Sequence, residues 1–292
     1  HGKQPIVCTT LPETFPESTR QYAIAKGCPP MQGLEFGLEA FRWGTWQARR
    51  KAEIAERQET IEVPDVKPLT GTPRLLEESE AKRLLSGFGL TVPPSRLASA
   101  AEAPSAAAAI GFPVVAKVAR PVLAHKTEAG AVALNLASEA AVSSAISGMA
   151  ASLTRHQAGL KAESFLIERQ VTGAVAELII GVKRDQMFGL SLVIGAGGVL
   201  VEMVHDAANL LLPTNRAAIE QAIRGLRIAK ILAGYRGKPA GDVAAVIDAV
   251  AAVAAFAEQY RDRLMELDVN PLLVLPKGQG AVAVDALVVM AD

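Results

Sequence analysis

Residues 111–118 read Gly-Phe-Pro-Val-Val-Ala-Lys-Val, a turn followed by a short apolar strand that carries a single charge. A lysine inside such a strand costs free energy unless its ammonium group is paired or faces a cleft. A compact ammonium group that faces a cleft is suited to binding a phosphate chain. Lys117 is therefore a candidate phosphate-binding residue, and an edge-strand lysine facing solvent is the alternative that this stretch leaves open.

Helix and strand patterns alternate on both sides of this stretch, which indicates α/β architecture. We predict helices over residues 77–85, 100–110, 138–153 and 243–263, the last capped by Asp242. We predict strands near residues 114–118, 130–134, 165–170 and 176–182, and a hairpin of residues 266–275 and 281–289 around the turn at 276–280.

The N-terminal part of the chain has a separate strand–helix pattern. Residues 5–9 read as a strand and residues 34–56 as a long helix, whose predicted core positions are Leu34, Leu38, Phe41 and Ile54. We interpret residues 1–56 as the trailing end of another α/β domain. Residues 57–73 are polar and contain three prolines, so we interpret them as a linker.

Composition limits the classes of function. The 292 residues are enough for two domains, and the 30 Lys and Arg residues balance the 30 Asp and Glu residues, so the charge expected of a nucleic-acid-binding protein is absent. Cys8 and Cys28 stand outside any Cys-x-x-Cys or Cys/His cluster, which argues against a disulfide framework or a zinc site. We find no secretory signal and no apolar run of about 20 residues. A cytoplasmic protein without a membrane span is expected.

Two further segments carry residues suited to phosphate chemistry. His125 and Lys126 precede a turn, and a histidine can form a covalent intermediate as a nucleophile, although it can equally be an ordinary surface residue. Residues 195–198 read Gly-Ala-Gly-Gly after an apolar strand. Their small side chains would let backbone N–H groups approach a phosphate, or would simply form a tight turn.

A third segment offers oxygen ligands. Residues 266–272 read Glu-Leu-Asp-Val-Asn-Pro-Leu, and strand alternation puts Asp268 and Asn270 on one face. Asp285 lies on the partner half of the predicted hairpin. Such oxygen atoms suit Mg²⁺, which is often shared with substrate phosphates. The alternative is an Asx-type turn at Asn-Pro with a solvated Asp285.

Taken in order over residues 78–290, these segments resemble the ATP-grasp domain of ADP-forming acyl-CoA synthetases, relatives of the succinyl-CoA synthetase β subunit. The segments are the helix Glu-Ser-Glu-Ala-Lys-Arg-Leu-Leu, the strand with Lys117, the His125 loop, residues 177–189, residues 195–202, Gly234-Tyr-Arg-Gly237, and Leu-Asp-Val-Asn-Pro-Leu with Asp285. Residues 1–50 resemble the last strand and helices of the flavodoxin-like CoA-ligase subdomain of that family.

The resemblance implies an ATP-grasp fold of two α+β subdomains over residues 74–292, preceded by a partial flavodoxin-like CoA-ligase subdomain. It also implies a role for each candidate residue. Lys117 would hold the ATP phosphates, Glu168 would lie at the hinge by the adenine, and Glu177 would lie near the ribose or base. Gly197 and Gly198 would approach ATP, and His125 would relay a phosphoryl group. Asn270 and Asp285 would bind Mg²⁺, with Asp268 in a place usually held by Glu.

The implied reaction joins a carboxylic acid to CoA with cleavage of ATP to ADP and phosphate, through an acyl phosphate and a phosphohistidine. The implied partner is a CoA-ligase or CoA-binding module, and the resemblance leaves room for a homo-oligomer. The chain alone is expected to bind Mg-ATP without completing thioester synthesis. Which acid is activated, and whether ATP or GTP is preferred, is not encoded in these motifs.

Several residues depart from the family pattern. The His-Lys-Ser-Asp-Val-Gly-Gly-Val segment is altered at Thr127, Glu128, Ala129 and Ala131, and Leu210 replaces a usual arginine. Two alternatives therefore stay open. The chain could belong to another ATP-grasp ligase, such as a carboxylate–amine ligase without a relay histidine, or it could be a non-catalytic regulatory or scaffolding subunit with a decayed ATP site.

Overall fold

The computed structural model describes residues 5–11, 14–57, 66, 69–119, 130–156, 162–198 and 206–292. Internal contacts divide the chain into two units, residues 1–62 and residues 63–292. In the described residues no helix combines the length and the apolar character needed to cross a membrane.

The smaller unit is a minimal α/β arrangement. Strand β1 (Val7–Cys8) pairs in parallel with β2 (Pro30–Met31), and the helices are α1 (Glu17–Ala25) and α2 (Leu34–Arg57). Strand β2 was not predicted, because Gly27-Cys28-Pro29-Pro30 has the composition of a turn.

The predicted core positions of α2 were wrong. All four residues are exposed: Leu34 at 53%, Leu38 at 61%, Phe41 at 60% and Ile54 at 46%. The buried apolar residues described in this unit are Phe15 and Ala23. Helical periodicity identifies an apolar face, but two short strands and one short helix supply too little surface to cover it.

The larger unit contains two antiparallel sheets. The first has the strand order β4-β7-β5-β6. Its elements are β4 (Ser95–Ala98), α4 (Ala103–Ile110), β5 (Val114–Val118), β6 (Val132–Leu136), α5 (Glu139–His156) and β7 (Phe165–Arg169). Alternate residues of β5, among them Val114 and Ala116, form one core with the two helices. Lys117 faces the other side of the sheet, and β5 is an inner strand, so Lys117 is not an edge-strand residue.

The second sheet has seven strands in the order β10-β9-β8-β11-β13-β3, with β12 paired to β11. Its elements are β3 (Pro73–Leu75), α3 (Glu78–Ser86), β8 (Ala176–Asp185), β9 (Gly189–Ala196), β10 (Ala207–Leu211), α6 (Arg216–Gly225), α7 (Ala229–Leu232), α8 (Val243–Gln259), β11 (Leu264–Val274), β12 (Ala281–Ala283) and β13 (Ala286–Ala291). The pairing of β11 with β12 and β13 confirms the predicted C-terminal hairpin. Strand β3 was not predicted, and its Pro73 is tolerated because β3 is an edge strand.

Helix α8 forms the centre of the second core. Its Phe256 ring packs 5.4 Å from Phe88 and 4.7 Å from Tyr260, measured between ring centroids. The helix ends at Gln259, four residues before the predicted end, because Tyr260 leaves the helical conformation as the C-cap. The two sheets, each with its own helices and core, correspond to the two predicted α+β subdomains, and both lie in the unit of residues 63–292.

Asp242 connects the start of α8 to the turn of the C-terminal hairpin. Its carboxylate accepts the N–H of Ala245 at 3.2 Å, as predicted for a helix cap, and also the N–H groups of Gly278 and Gly280 at 2.9 and 3.0 Å. Burial raises the pKa of Asp242, but the backbone N–H groups of Gly280, Ala245 and Gly278 outweigh it, so the pKa is lowered overall.

We expect Asp242→Ala to lower the free energy of unfolding by about 1–2 kcal/mol at pH 7, because three backbone N–H groups lose their acceptor. Asp242→Asn should lose less, since one acceptor oxygen remains. The folded-state pKa is lowered, so the charge contributes most above the ordinary Asp pKa of about 3.9, and the contribution disappears as the pH falls through the folded-state value. Urea unfolding measured at several pH values checks this.

The control is Asp248→Asn, which removes a charge from an exposed position of the same helix. Its effect should stay below about 0.5 kcal/mol. A loss at position 248 as large as the loss at position 242 would contradict the capping role.

Candidate functional site

Lys117 is buried and fully engaged. Its Nζ lies 2.5 Å from Glu78 Oε1 and 3.0 Å from Glu168 Oε2, and it donates a hydrogen bond of 2.6 Å to the carbonyl oxygen of Val284. The side chain is only 9% exposed. The alternative of a solvated lysine is therefore excluded, and the charge of Lys117 is directed into the protein.

A second ammonium group lies beside the first. Lys82 Nζ is 2.8 Å from Glu78 Oε1, 2.8 and 3.0 Å from the two carboxylate oxygens of Glu168, and 2.6 Å from the Val284 carbonyl oxygen. Lys82 and Lys117 thus share the same three acceptor groups. We call Glu78, Lys82, Lys117, Glu168 and the Val284 carbonyl the paired-lysine cluster.

Four elements bring the paired-lysine cluster together. Glu78 and Lys82 are one helical turn apart on α3, while Lys117 and Glu168 belong to the adjacent strands β5 and β7. Val284 lies between β12 and β13 of the other sheet. The cluster therefore connects the face of the four-stranded sheet that carries Lys117 to the segment between β12 and β13 of the seven-stranded sheet.

The charge of Lys117 is stable in this environment. Burial is the largest single influence and lowers its pKa, but the carboxylates of Glu168, Glu78 and Asp285 together outweigh burial and raise the pKa above its ordinary value. Lys117 therefore remains an ammonium cation throughout the physiological pH range.

Sequence reasoning missed Glu78 and Lys82 as site residues. Both residues lie in the helix segment 78–85 that contributes to the family resemblance, but neither was assigned a role. A signal was present, because positions 78, 81, 82 and 85 lie on one helical face, and Ala81 and Leu85 of that face are fully buried. Two charges of opposite sign on the buried face of a helix indicate an internal ion pair.

The predicted magnesium ligands lie together. The Asn270 N–H donates to the carbonyl oxygen of Asp285 at 3.3 Å, and Asn270 lies two residues after Asp268 on β11. Burial, followed by repulsion from Glu266 and Asp285, raises the pKa of Asp268. Asp285 directly follows Val284, so this oxygen-rich edge adjoins Lys117.

The ligands at that edge suit an open Mg²⁺ site better than a metal site in which the protein supplies every ligand. Among the described residues no group of three or more His, Cys, Asp or Glu side chains is arranged to hold a metal. The edge offers the two carboxylates of Asp268 and Asp285 and one amide. Mg²⁺ usually keeps water molecules and shares substrate phosphates, so it does not need a full set of protein ligands.

The predicted glycine segment touches Glu177. The Gly197 N–H donates to the Glu177 carbonyl oxygen at 2.7 Å, and a Cβ on Gly197 would lie only 2.9–3.1 Å from atoms of Glu177. Gly198 has a φ of 75°, and a Cβ there would lie 3.2 Å from the Glu177 carboxylate. Glu177, Gly197 and Gly198 therefore form one exposed corner, where β9 ends beside the start of β8.

The other candidate positions have different outcomes. His125, with Lys126 and the substituted positions 127–129, lies outside the described residues, as does Glu202. Leu210 is on β10 opposite Leu192 and packs against the core of the seven-stranded sheet. Ala131 is fully buried in the core of the four-stranded sheet.

Comparison with known proteins identifies the family to which the chain belongs. A family model described as "ATP-grasp domain" matches residues 68–290. The β subunit of acetate–CoA ligase [ADP-forming] II from Pyrococcus furiosus is 32% identical over 73% of this chain and 90% of its own length. The chain belongs to the ATP-grasp family of ADP-forming acid–CoA ligases. The predicted ATP-grasp fold is thereby confirmed.

Other family members are longer than this chain. Trans-feruloyl-CoA synthase from an unknown prokaryotic organism is 34% identical over 82% of this chain, and 4-hydroxybutyrate–CoA ligase [ADP-forming] from Nitrosopumilus maritimus is 35% identical over 73%. The chain spans 34% and 30% of the lengths of these two relatives. Among solved structures, the Candidatus Korarchaeum cryptofilum dinucleotide-forming acetyl-coenzyme A synthetase 1 matches with a TM-score of 0.69 and 33% identity over 74% of this chain and 93% of that chain.

We expect Gly197→Ala to destabilise the ATP-grasp unit by about 1–3 kcal/mol, because the new methyl group would lie closer to the backbone of Glu177 than van der Waals contact allows. Thermal or urea unfolding measures the loss. Gly148→Ala is the matched control, since nothing lies within 4 Å of its Cβ and it is inside α5. It should be neutral or stabilising by up to about 1 kcal/mol. Equal effects of the two substitutions would contradict the close approach at Gly197.

Proposed function

We propose that residues 74–292 bind Mg-ATP and carry out the phosphoryl-transfer part of an ADP-forming acid–CoA ligase reaction. The observation that carries the proposal is the hydrogen bond of Lys117 to the residue preceding Asp285, which brings a buried cation beside an edge of oxygen ligands. An ammonium group beside a magnesium-binding edge is the pairing that a triphosphate requires.

The residues of the site have distinct roles in this proposal. Lys117 holds the phosphates, and Asp285, Asn270 and Asp268 hold Mg²⁺, which supplies charge neutralisation when it is bound. The exposed corner of Glu177, Gly197 and Gly198 offers a carboxylate for the ribose or base and the backbone N–H of Gly198 for the phosphates, while the Gly197 N–H is bonded to the Glu177 carbonyl oxygen. The carboxylate of Glu168 is held by Lys82 and Lys117, so the place of Glu168 at the adenine hinge stays a prediction without a side-chain contact to the base.

His125 is proposed to be the relay nucleophile. Its imidazole nitrogen would form a bond to the γ-phosphorus as the bond from that phosphorus to the ADP oxygen breaks, and ADP would leave with the bonding electron pair. The phosphoryl group would then pass to a CoA-ligase module. Little covalent work is left to the other residues, so their contribution is positioning and charge.

The solved relatives support this proposal by analogy. One structure of the Korarchaeum synthetase is described with coenzyme A and Mg-AMPPCP and with its phosphohistidine segment pointing towards the nucleotide-binding site, at a TM-score of 0.63 and 32% identity. For this protein we propose the corresponding set of a CoA-binding module, CoA and a carboxylic acid, in a cytoplasmic setting. Residues 1–56 are proposed to belong to the CoA-ligase module and residues 57–73 to link it to the ATP-grasp unit.

A non-catalytic subunit is the second candidate, and Leu210 is the observation that favours it. Leu210 is partly buried against the core at a position where the family pattern has an arginine, so one cation of the pattern is missing. A decayed site would bind no Mg-ATP.

We expect the chain to release or absorb heat on titration with Mg-ATP, and Lys117→Met to weaken the binding at least about 30-fold, because a buried charge that pairs with phosphate is removed. Isothermal titration calorimetry measures both. Lys230→Met, at an exposed position of α7, is the control and should leave the dissociation constant unchanged. No heat from the unaltered chain would favour the decayed site, and a Lys117→Met protein of native-like stability with unchanged affinity would contradict the role of Lys117.

The relay role of His125 has a separate test. After incubation with Mg-ATP labelled in the γ-phosphate, the chain should carry a phosphate that is stable in alkali and released in acid, as expected for a phosphoryl–imidazole bond. His125→Ala should abolish this label, whereas His156→Ala should retain it. A label that survives in His125→Ala would put the phosphoryl group on another residue and contradict the role of His125. No label on a chain that binds Mg-ATP would favour a carboxylate–amine ligase without a relay histidine.

A further inference from the structure

In the paired-lysine cluster, two ammonium groups share the same three acceptor groups. An ammonium group has three N–H donors. The donors of Lys117 are matched by Glu78, Glu168 and the Val284 carbonyl, and Lys82 has the same three partners. Each acceptor in the cluster is therefore held twice.

This double occupancy bears on how Lys117 could bind phosphate. A phosphate oxygen can receive a hydrogen bond from Lys117 only if one of the three present contacts is exchanged. When that happens, the abandoned acceptor stays buried, and a buried unpaired carboxylate is strongly unfavourable. Lys82 already contacts each of these acceptors, so the exchange leaves none of them without a cation.

We propose, on the basis of the ATP binding proposed above, that Glu78 and Lys82 are positioning residues that act on Lys117 with opposite sign. When Lys117 turns to phosphate, Lys82 keeps its hydrogen bond to the Val284 carbonyl and its ion pair with Glu168, whose charge it offsets. Glu78 competes with phosphate for Lys117. The affinity for the triphosphate is therefore set by the charge balance between two side chains that do not need to touch the nucleotide.

The geometry gives the sign of each effect. Glu78 Oε1 lies 2.5 Å from Lys117 Nζ. A phosphate oxygen bonded to the same ammonium would lie within about 5–6 Å of that carboxylate, a distance at which like charges inside a protein repel appreciably. Removing the Glu78 charge should thus strengthen binding. Removing the Lys82 charge should weaken it, because Lys117 is then the remaining cation on Glu168 among the residues that the structure describes.

The test is a double-mutant cycle with Mg-ATP as the ligand and the full chain as the protein. By calorimetry, Glu78→Gln should lower the dissociation constant about 5–10-fold, and Lys82→Met should raise it about 10-fold. The double variant restores the net charge and should return to within about threefold of the unaltered chain. Both single variants should unfold at a lower temperature, since each breaks a buried pair. Glu78→Gln should therefore bind more tightly while being less stable.

A matched control comes from the exposed pair Glu220 and Arg224, which has the same one-turn helical spacing on α6. Glu220→Gln and Arg224→Met should leave the affinity for Mg-ATP unchanged. If Lys82→Met does not fold, Glu78→Gln and the double variant decide the question.

The outcomes separate this inference from the proposed function. Two results would overturn the proposed charge balance between Glu78 and Lys82. The first is an affinity of Glu78→Gln for Mg-ATP that is unchanged or lower, and the second is a double variant that binds Mg-ATP more weakly than either single variant. A cluster with a purely structural role would lower the affinity in Glu78→Gln and in the double variant. An unaltered chain that gives no heat with Mg-ATP would overturn the proposed function instead.

Discussion

The rest of the ATP-grasp unit depends on the buried pairing of two lysines with two glutamates. Taking four charged groups out of water is costly, and the cost is offset only when every member has its partners. The Val284 carbonyl completes the set, and it comes from the other sheet. The two sheets must therefore be correctly placed before the charges can be buried, so the cluster links the folding of the unit to the assembly of its site.

This constraint also explains how the site divides its work. The four-stranded sheet supplies the cation, and the seven-stranded sheet supplies the oxygen-rich edge and the glycine corner. Lys117, Asp268 and Asn270 stand on paired strands, and Asp285 lies in the two-residue connection between β12 and β13, which keeps the charged groups in fixed positions. Fixed positions matter most for phosphoryl transfer, where positioning and electrostatic stabilisation carry most of the catalysis.

Local patterns predicted the elements whose neighbours along the chain decide their structure. Helix α8 with its Asp242 cap and the C-terminal hairpin are in this class, since periodicity and capping act over a few residues. The short strands β2 and β3 were missed because proline-containing segments become strands only when another strand pairs with them. The apolar residues of α2 were assigned to a core that the smaller unit does not provide.

The sequence by itself determined which residues carry charge and oxygen atoms for the site, and the order of its motifs determined the family. Only the tertiary structure decided which of these groups meet. Lys82 and Glu168 are 86 positions apart, and Lys117 is 167 positions from the carbonyl that it shares with Lys82. A residue pattern reflects the preferences of near neighbours, whereas contacts over such separations depend on the packing of whole sheets. The partner that holds a buried charge is for that reason visible only in the folded chain.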